Sequence, residues 1–265
     1  MEYLLLVLPF AKFQSKLTLT GATNDNSELS VDYVQRVLIP QLSFFAESSC
    51  ELQIINRAFP SLEVKPLGKV ILTSNPVDRF RALQFTKPSP FKAISGQIIS
   101  VNIPPAMAQR LLQRVRQNFS YVSDISLKFE SKKQQSAPGF GCLLESQTLN
   151  EGRIAAELYS DGLQVDPEQM ADYLSALFAE EIKNYGACDS LCQEVIAIAC
   201  GIAQEDVSYI RFGKLNERVI GSLRVLKEIF GVEAQLEDFS IDGVMKGVNL
   251  IVRGAGVRNV SKRGW

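Results

Sequence analysis

The sequence predicts an α/β (α+β) fold, and three observations support this class. Hydrophobic residues make up 46% of the 265 residues, which is enough for a packed core. Segments with the two-residue apolar alternation of half-buried strands interleave with segments of helical spacing. No stretch is of low complexity. Interleaved strands and helices predict sheets with helices packed on them.

Strands are predicted where apolar residues alternate or run together. Leu4–Leu8 is a short apolar run before Pro9, and Lys16–Thr20 alternates leucine with polar residues. The other predicted strands are Glu51–Ile55, Lys69–Thr73, Ser95–Asn102, Ile125–Phe129, Phe140–Thr148, Arg153–Tyr159 and Val248–Val252. A weak repetition of strand, turn, capped helix and strand is visible, but its spacing alone does not establish a repeat.

Helices are predicted after residues that favour helix starts. Ser30 is the expected N-cap of the first helix, with Asp32 in its first turn, and Pro40 should kink or divide that helix. One helix is expected to end near Tyr185-Gly186, where glycine can take the left-handed C-terminal position, and the last helix is expected to end at Gly231. The other predicted starts are Pro104-Pro105, Asp166-Pro167, Asp189-Ser190 and Asn216.

The composition excludes several classes of chemistry. The chain contains no histidine, which removes Ser-His-Asp and Cys-His nucleophile systems and histidine metal ligands. Five cysteines without a C-x-x-C pair predict reduced thiols, no metal site and no disulfide-linked partner. The apolar run near the N-terminus lacks the basic start of a signal peptide and the length of a membrane span. We therefore expect an intracellular protein that does not insert into a membrane.

Short motifs give little support to catalysis. Gly139-x-Gly141 and Gly254-x-Gly256 lack the third glycine of a dinucleotide fingerprint and are predicted to be turns or bulges. Local roles explain the paired carboxylates better than acid-base catalysis does. These pairs are Asp25/Asp32, Glu180/Glu181 and Glu237/Asp238. The sequence therefore predicts no catalytic residue, no cofactor and no metal.

Basic residues form clusters although the net charge is only −1. Arg224 and Lys227 lie one turn apart on the last predicted helix, and another helix carries Arg110, Arg114 and Arg116. The C-terminal tail carries Arg253, Arg258, Lys262 and Arg263, followed by Trp265. Basic residues with an aromatic ring suit RNA contact, and the alternative for each cluster is a solvated charged surface.

Several motifs resemble one known family. Gly21, Thr23, Asn24, Asp25, Ser30, Asp32, Pro40 and Leu42 match the G-x-T-[ND] turn and the S-x-D…P-x-L helix of the RNA 3'-terminal phosphate cyclase superfamily, in its cyclase-like branch. Pro138–Gly141, Gly186–Asp189, Glu205–Ser208 and Gly254–Val260 resemble later segments of that branch in the same order. The resemblance covers nearly the whole chain.

The resemblance implies a fold and a domain organisation. Family members have a large domain of repeated βαβαββ units with a smaller α/β domain inserted late. Residues 1–92 and 186–265 would then form the two parts of the large domain, and residues 93–185 the inserted domain. Relatives carry further units before the part that matches, so the fold is expected to be N-terminally shortened.

The departures from the family pattern imply loss of the cyclase reaction. Cyclases adenylylate a histidine, and this sequence has none. The family segment R-G-x-x-P-x-G-G-G-E-V is reduced here to residues 57–64, Arg-Ala-Phe-Pro-Ser-Leu-Glu-Val, without its glycines.

The cyclase-like branch implies a non-catalytic role in ribosome biogenesis. Its members bind a ribosome-assembly GTPase and join the small-subunit processome with pre-rRNA, in the nucleus and nucleolus. Arg224 and Lys227 fall on the segment tied to the GTPase, although Val225 replaces an acidic residue of the relatives.

Two alternatives stay open. One is an RNA-processing enzyme, either a pre-rRNA endonuclease or, less in keeping with the missing histidine, a cyclase. The other is a small-molecule α/β enzyme that shares only the repeat architecture.

Overall fold

A computed structural model describes most of the chain and shows a mixed α/β fold, as predicted. The described residues are 1–46, 49–61, 65, 67–85, 91–134, 136–148, 152–160 and 165–262, with Lys92 and Lys262 described by their backbone alone. No helix among them is long and apolar enough to cross a membrane.

The first unit of the fold has the order α-β-α-β-β. It contains α1 (Leu4–Val7), β1 (Ser15–Gly21), α2 (Val31–Tyr33), α3 (Ile39–Leu42), β2 (Cys50–Asn56) and β3 (Gly68–Ser74). A π-helical segment, Val34–Leu38, joins α2 to α3, and we call the continuous element the α2–α3 helix. The three strands pair in the order β1-β3-β2, antiparallel throughout.

The second unit of the same kind closes the chain. It contains α6 (Gln193–Ile202), β9 (Val207–Phe212), α7 (Glu217–Phe230), β10 (Ala234–Ile241) and β11 (Val244–Arg253). Its antiparallel strands pair in the order β9-β11-β10, which is the order of β1-β3-β2 in the first unit. Equal element order and equal strand order make the two units an internal repeat.

A middle unit lies between them. It contains β5 (Phe91–Val101), α4 (Pro105–Asn118), β6 (Ile125–Lys132), β7 (Gly139–Thr148), β8 (Arg153–Ser160) and α5 (Pro167–Lys183). Its sheet has the order β6-β5-β7-β8, and α4 and α5 pack on it around a core of their own. The predicted domain boundaries at 92/93 and 185/186 stay predictions.

One residue links the middle sheet to the second unit. Cys188 forms parallel bridges to Arg153 at the start of β8 and to Phe212 at the end of β9. A two-residue strand, β4 (Gln84–Phe85), pairs in parallel with β9 further along. A shared core of the first and second units lies behind this junction.

The prediction of a strand at Leu4–Leu8 is wrong. Leu4–Val7 forms α1, and a 3₁₀ turn continues it to Phe10. Leu5 and Leu6 are buried whereas Val7 is exposed. A continuous apolar run has no period that separates a strand from a short helix, so packing decided the outcome.

The helix boundaries follow the predicted signals with two exceptions. The Ser30 hydroxyl accepts a hydrogen bond from the Tyr33 amide at 3.0 Å, which confirms the N-cap. The π-helical segment ends just before Pro40, where the missing N–H cannot continue the ladder. The last helix ends at Gly231 as predicted, and Gly231 takes the left-handed conformation. Gly186 does not take that conformation; Tyr185 has the positive φ of 53° instead. The helix predicted after Asp189-Ser190 begins only at Gln193, with Cys192 as its N-cap.

Gly139 and Gly141 are not in a turn or bulge, contrary to prediction. Both lie inside β7, where the side chains of Phe59 and Tyr159 pass over the strand. A Cβ atom on Gly139 would lie 2.1 Å from Cγ of Phe59, which is fully buried. These glycines serve close packing of aromatic rings.

We expect Gly139→Ala to destabilise the fold by about 2 kcal/mol, because its Cβ atom would lie 2.1 to 2.5 Å from three ring carbons of Phe59, so that the ring or the strand must shift. Gly221→Ala in α7 is the matched control. Its Cβ would meet nothing within 4 Å, so better helix propensity should stabilise by about 0.5–1 kcal/mol. Urea unfolding of both variants measures the difference, and equal free energies of unfolding would contradict the packing argument.

Candidate functional site

A groove on the second unit brings three of the predicted binding residues together. Its volume is about 600 Å³, and Arg224, Lys227 and Arg253 lie on its lining. Arg224 and Lys227 come from α7, whereas Arg253 ends β11. The sequence assigned Arg253 to the tail, and only the fold places it beside the other two.

The rest of the lining is largely apolar. Ile220 and Leu223 come from α7, and Val232 and Leu236 come from the connection to β10 and from β10 itself. Ile220 is 41% exposed and Leu236 is 45% exposed, so apolar surface lies open beside three cations. Exposed apolar surface rimmed by polar residues is typical of a protein-binding site.

The position of α7 follows from its caps and its inner face. The Asn216 side chain accepts a hydrogen bond from the Arg218 amide at the N-terminus, and Gly231 closes the C-terminus. Val219 and Leu226 are buried, and Leu226 packs on Gly201 of α6. The anchored inner face holds the opposite, basic residues in a fixed orientation.

The cations of the groove are weakly held within the chain. Lys227 lies 3.1 Å from Glu233, and Arg253 lies 3.9 Å from Glu205, with all four side chains largely exposed. Such exposed pairs contribute at most about 1 kcal/mol each, so a partner's carboxylates can replace them. Among the described residues no carboxylate forms a salt bridge with Arg224.

Of the remaining predicted tail residues, Arg258 does not line the groove. Arg258 is exposed, and the neighbouring Asn259 is buried and donates to the carbonyl of Ala11 at 2.9 Å. The backbone of Lys262 lies in a 3₁₀ turn, and its side chain, Arg263 and Trp265 lie outside the described residues.

Two of the three arginines in the third basic cluster form salt bridges. Arg110 pairs with Asp166 and Glu168, and Arg114 pairs with Asp172 at 2.7 Å. These contacts join α4 to α5 and leave less positive potential for a nucleic acid.

A buried ion pair joins the first unit to the middle sheet. Arg57 donates two hydrogen bonds to Asp32, at 2.7 and 3.1 Å, and one to Glu130 of β6 at 2.9 Å. Asp32 is completely buried and also accepts a hydrogen bond from the side-chain amide of Asn24. The sequence predicted only a role in the first helical turn for Asp32, because nothing in it shows that Arg57 lies opposite.

Two further carboxyls hold the α2–α3 helix against β8. Glu157 accepts from the amide and the hydroxyl of Ser30, the N-cap residue. Asp189 accepts from the Tyr33 hydroxyl at 2.5 Å and from the Ala155 amide at 2.9 Å. Burial raises the pKa of Glu157 to about 7 and the pKa of Asp189 to about 7.

These pKa shifts predict that stability falls as the pH rises from about 5 to about 7. The unfolded chain releases the two protons near pH 4–5, whereas the folded protein holds them until about pH 7. Between these values each unit of pH therefore lowers the free energy of unfolding. For Glu157 the loss should be on the order of 2 kcal/mol between pH 5 and pH 8. Urea unfolding at both values measures it. Glu157→Gln should reduce the pH dependence, and an unchanged slope in that variant would contradict the assignment.

A cleft lies near the contacts of Glu157. If the chain were an RNA-processing enzyme, its active site would be expected there. A cavity of about 660 Å³ is lined by the loop 24–27, by Phe59 and Pro60, and by residues of β8 and α5. An adjoining cavity of about 490 Å³ adds Glu157 and Arg218. No lysine lines either cavity, and the described residues contain no group of three side chains able to hold a metal ion.

The arginine of residues 57–64 serves the structure rather than a ligand. Arg57 is held by Asp32 and Glu130, and Phe59 is buried against Gly139. The described part of the segment, residues 57–61, therefore carries an ion pair and a packed ring.

Comparison with known proteins gives a consistent answer. The profile of the family described as RNA 3'-terminal phosphate cyclase matches residues 1–236. A protein of Mus musculus named RNA 3'-terminal phosphate cyclase-like protein is 33% identical over 276 residues, covering 99% of this chain and 73% of its own length. Its namesake in Homo sapiens is 31% identical with the same coverage. The rRNA processing protein rcl1 of Schizosaccharomyces pombe is 26% identical over 274 residues, covering 99% of this chain and 73% of its own length.

Fold and site together define an α/β repeat protein with a basic, partly apolar groove on its C-terminal unit. The chain belongs to the RNA 3'-terminal phosphate cyclase family. The resemblance found in the sequence is thereby confirmed.

Proposed function

We propose that this chain is a non-catalytic ribosome biogenesis factor that binds an assembly GTPase during small-subunit pre-rRNA processing. The observation that carries the proposal is the groove in which Arg224, Lys227 and Arg253 surround an apolar surface. Such a groove suits a protein partner that brings carboxylates and an apolar side chain.

The relatives support the cellular role. One of them is named an rRNA processing protein, and several carry the name cyclase-like. With a role in rRNA processing we propose a location in the nucleus and nucleolus, with the small-subunit processome and pre-rRNA as the surroundings of the chain. Arg253, Arg258, Lys262 and Arg263 are the residues we assign to RNA contact, because basic side chains neutralise backbone phosphates.

The chemistry of the sequence supports a non-catalytic member. Without a histidine, no covalent histidyl intermediate forms on this chain. Arg57 is engaged by two carboxylates, and among the described residues no lysine lines the cavity beside Phe59. A pre-rRNA endonuclease stays the alternative, because the adjoining cavity brings Glu157 and Arg218 together.

The proposal is tested by sedimentation of the tagged chain from cell extract. We expect it to migrate with early small-subunit particles and to recover a GTPase together with pre-rRNA. Migration with the free proteins alone, without GTPase or pre-rRNA, would refute the adaptor role.

A further inference from the structure

The three cations of the groove differ in their partners within the chain. Lys227 lies 3.1 Å from Glu233, and Arg253 lies 3.9 Å from Glu205. Arg224 is exposed, and the part of the chain that the structure describes places no carboxylate in a salt bridge with it. Two of the three positive charges therefore face an acidic residue of the same chain, whereas the third is open to a partner.

The C-terminal cap of α7 positions Glu233. The amide of Gly231, which has the left-handed conformation, donates to the carbonyl of Lys227 at 3.0 Å. The next amide, that of Val232, donates to the carbonyl of Leu226 at 3.4 Å, and Val232 is buried. This turn anchors the backbone directly before Glu233. The carboxylate therefore returns to the cation in the last turn of the helix.

A second glycine turn positions Glu205. Gly256 has a φ of 73°, and its amide donates to the carbonyl of Ala203 at 2.7 Å. A Cβ atom on Gly256 would lie 2.7 Å from Cγ of Glu205, so a larger residue would displace this side chain. The turn that follows Arg253 thus holds space for the carboxylate that faces the arginine.

These two carboxylates reduce the attraction that the groove exerts on acidic ligands. The side chains of Glu233 and Glu205 are 77% and 72% exposed, so water screens both ion pairs and each pair is weak. A ligand carboxylate that approaches Lys227 or Arg253 is attracted by the cation and repelled by the resident carboxylate beside it. It must displace that carboxylate before it binds the cation at full strength.

We propose that Glu205 and Glu233 are internal competitors for the acidic groups of the partner that the groove binds. The inference rests on the proposed function of the groove and adds a requirement for its partner. Arg224 binds a first carboxylate without competition, whereas binding at Lys227 and at Arg253 displaces one internal carboxylate each. A partner segment with several carboxylates around an apolar side chain replaces both competitors, and a neutral segment replaces neither.

Direct binding to the purified chain tests the proposal. The probe is a labelled synthetic peptide that alternates aspartate with leucine, and fluorescence anisotropy gives its affinity. At low salt, Glu205→Gln and Glu233→Gln should each tighten binding about threefold, because each removes one weak competitor. Together they should tighten it about tenfold, because the two pairs share no residue and their effects multiply. At high salt all variants should bind alike, since salt screens exposed charges.

A matched variant separates competition from net charge. Asp124→Asn with Asp242→Asn also removes two exposed negative charges, and neither residue lines the groove. Its affinity for the peptide should stay within about twofold of the wild type at low salt. The amide side chains have nearly the size of the acids, so every variant should fold as the wild type does, which far-UV circular dichroism checks.

Three outcomes would overturn the proposal. One is equal affinity of the wild type and the double glutamine variant at low salt. Another is the same gain in the double asparagine variant, since net charge would then explain it. The third is no binding of the peptide by the double glutamine variant, in which both competitors are absent.

The peptide measurement and the sedimentation test fail independently. If the double glutamine variant binds the peptide more tightly but the tagged chain recovers no GTPase, the internal competitors stand and the proposed function falls. If the GTPase is recovered while both glutamine substitutions leave the affinity for the peptide unchanged, the proposed function stands and the competitors are refuted.

Discussion

Reversal of both charges on α7, Arg224→Glu with Lys227→Glu, is expected to weaken capture of the GTPase by about 100-fold while the chain stays folded. The reason is local. These two cations border the groove beside exposed apolar surface, and the exposed ion pair of Lys227 with Glu233 is weak. Two carboxylates at these positions would repel the acidic groups that a partner brings to the groove.

The expected loss has two parts that can be separated. Salt screens exposed charges. If attraction over a distance accounts for most of the loss, the affinities of the variant and the wild type should differ at low salt and become similar at high salt. Ile220→Ser should weaken binding at every salt concentration, because it removes apolar contact without changing charge.

A matched control distinguishes a site from a general effect of charge. Arg116→Glu with Lys128→Glu also reverses two exposed basic residues, on α4 and β6. This variant should capture the GTPase as the wild type does. Equal loss in both double variants would show that net charge rather than the groove governs binding. Retained binding in the α7 variant would remove the groove from the proposed function.

Asp32→Ala is expected to cost about 3–5 kcal/mol of stability, because it leaves the guanidinium of Arg57 buried without its principal partner. Asp32 is fully buried and takes two hydrogen bonds from Arg57 and one from Asn24. Urea unfolding measures the loss. A cost near 1 kcal/mol would show that Glu130 alone satisfies Arg57.

Two further variants test that explanation. Asp78→Ala removes an exposed carboxylate 3.7 Å from Arg79 and should change stability by less than about 1 kcal/mol. Asp32→Ala combined with Arg57→Met should recover part of the loss, because the unpaired buried charge is removed with its partner. A double variant less stable than Asp32→Ala would contradict the argument.

Local sequence signals predicted most elements because they act within a few residues. The Ser30 cap, the interruption before Pro40 and the left-handed Gly231 each depend on one side chain and its neighbours. The strand at Val207–Phe212 and the exposed strand at Ala234–Ile241 were missed. The apolar alternation of β10 changes phase between Leu236 and Phe239, and its partner β11 supplies the pairing that defines the strand.

Predictions failed where a distant residue decides the local conformation. Gly139 was predicted to lie in a turn or bulge. It lies in a strand instead, where the ring of Phe59 occupies the space that a Cβ atom would fill. Leu4–Val7 became a helix because Leu5 and Leu6 pack into the shared core of the repeated units.

The sequence by itself determined the family and the absence of histidine chemistry, because motif order and composition need no coordinates. It also named Arg224, Lys227 and Arg253 as candidate binding residues. Only the tertiary structure decided that these three share one groove and that Asp32 meets Arg57 across 25 residues. Burial and strand pairing join residues far apart along the chain, and no local pattern records which of them will meet.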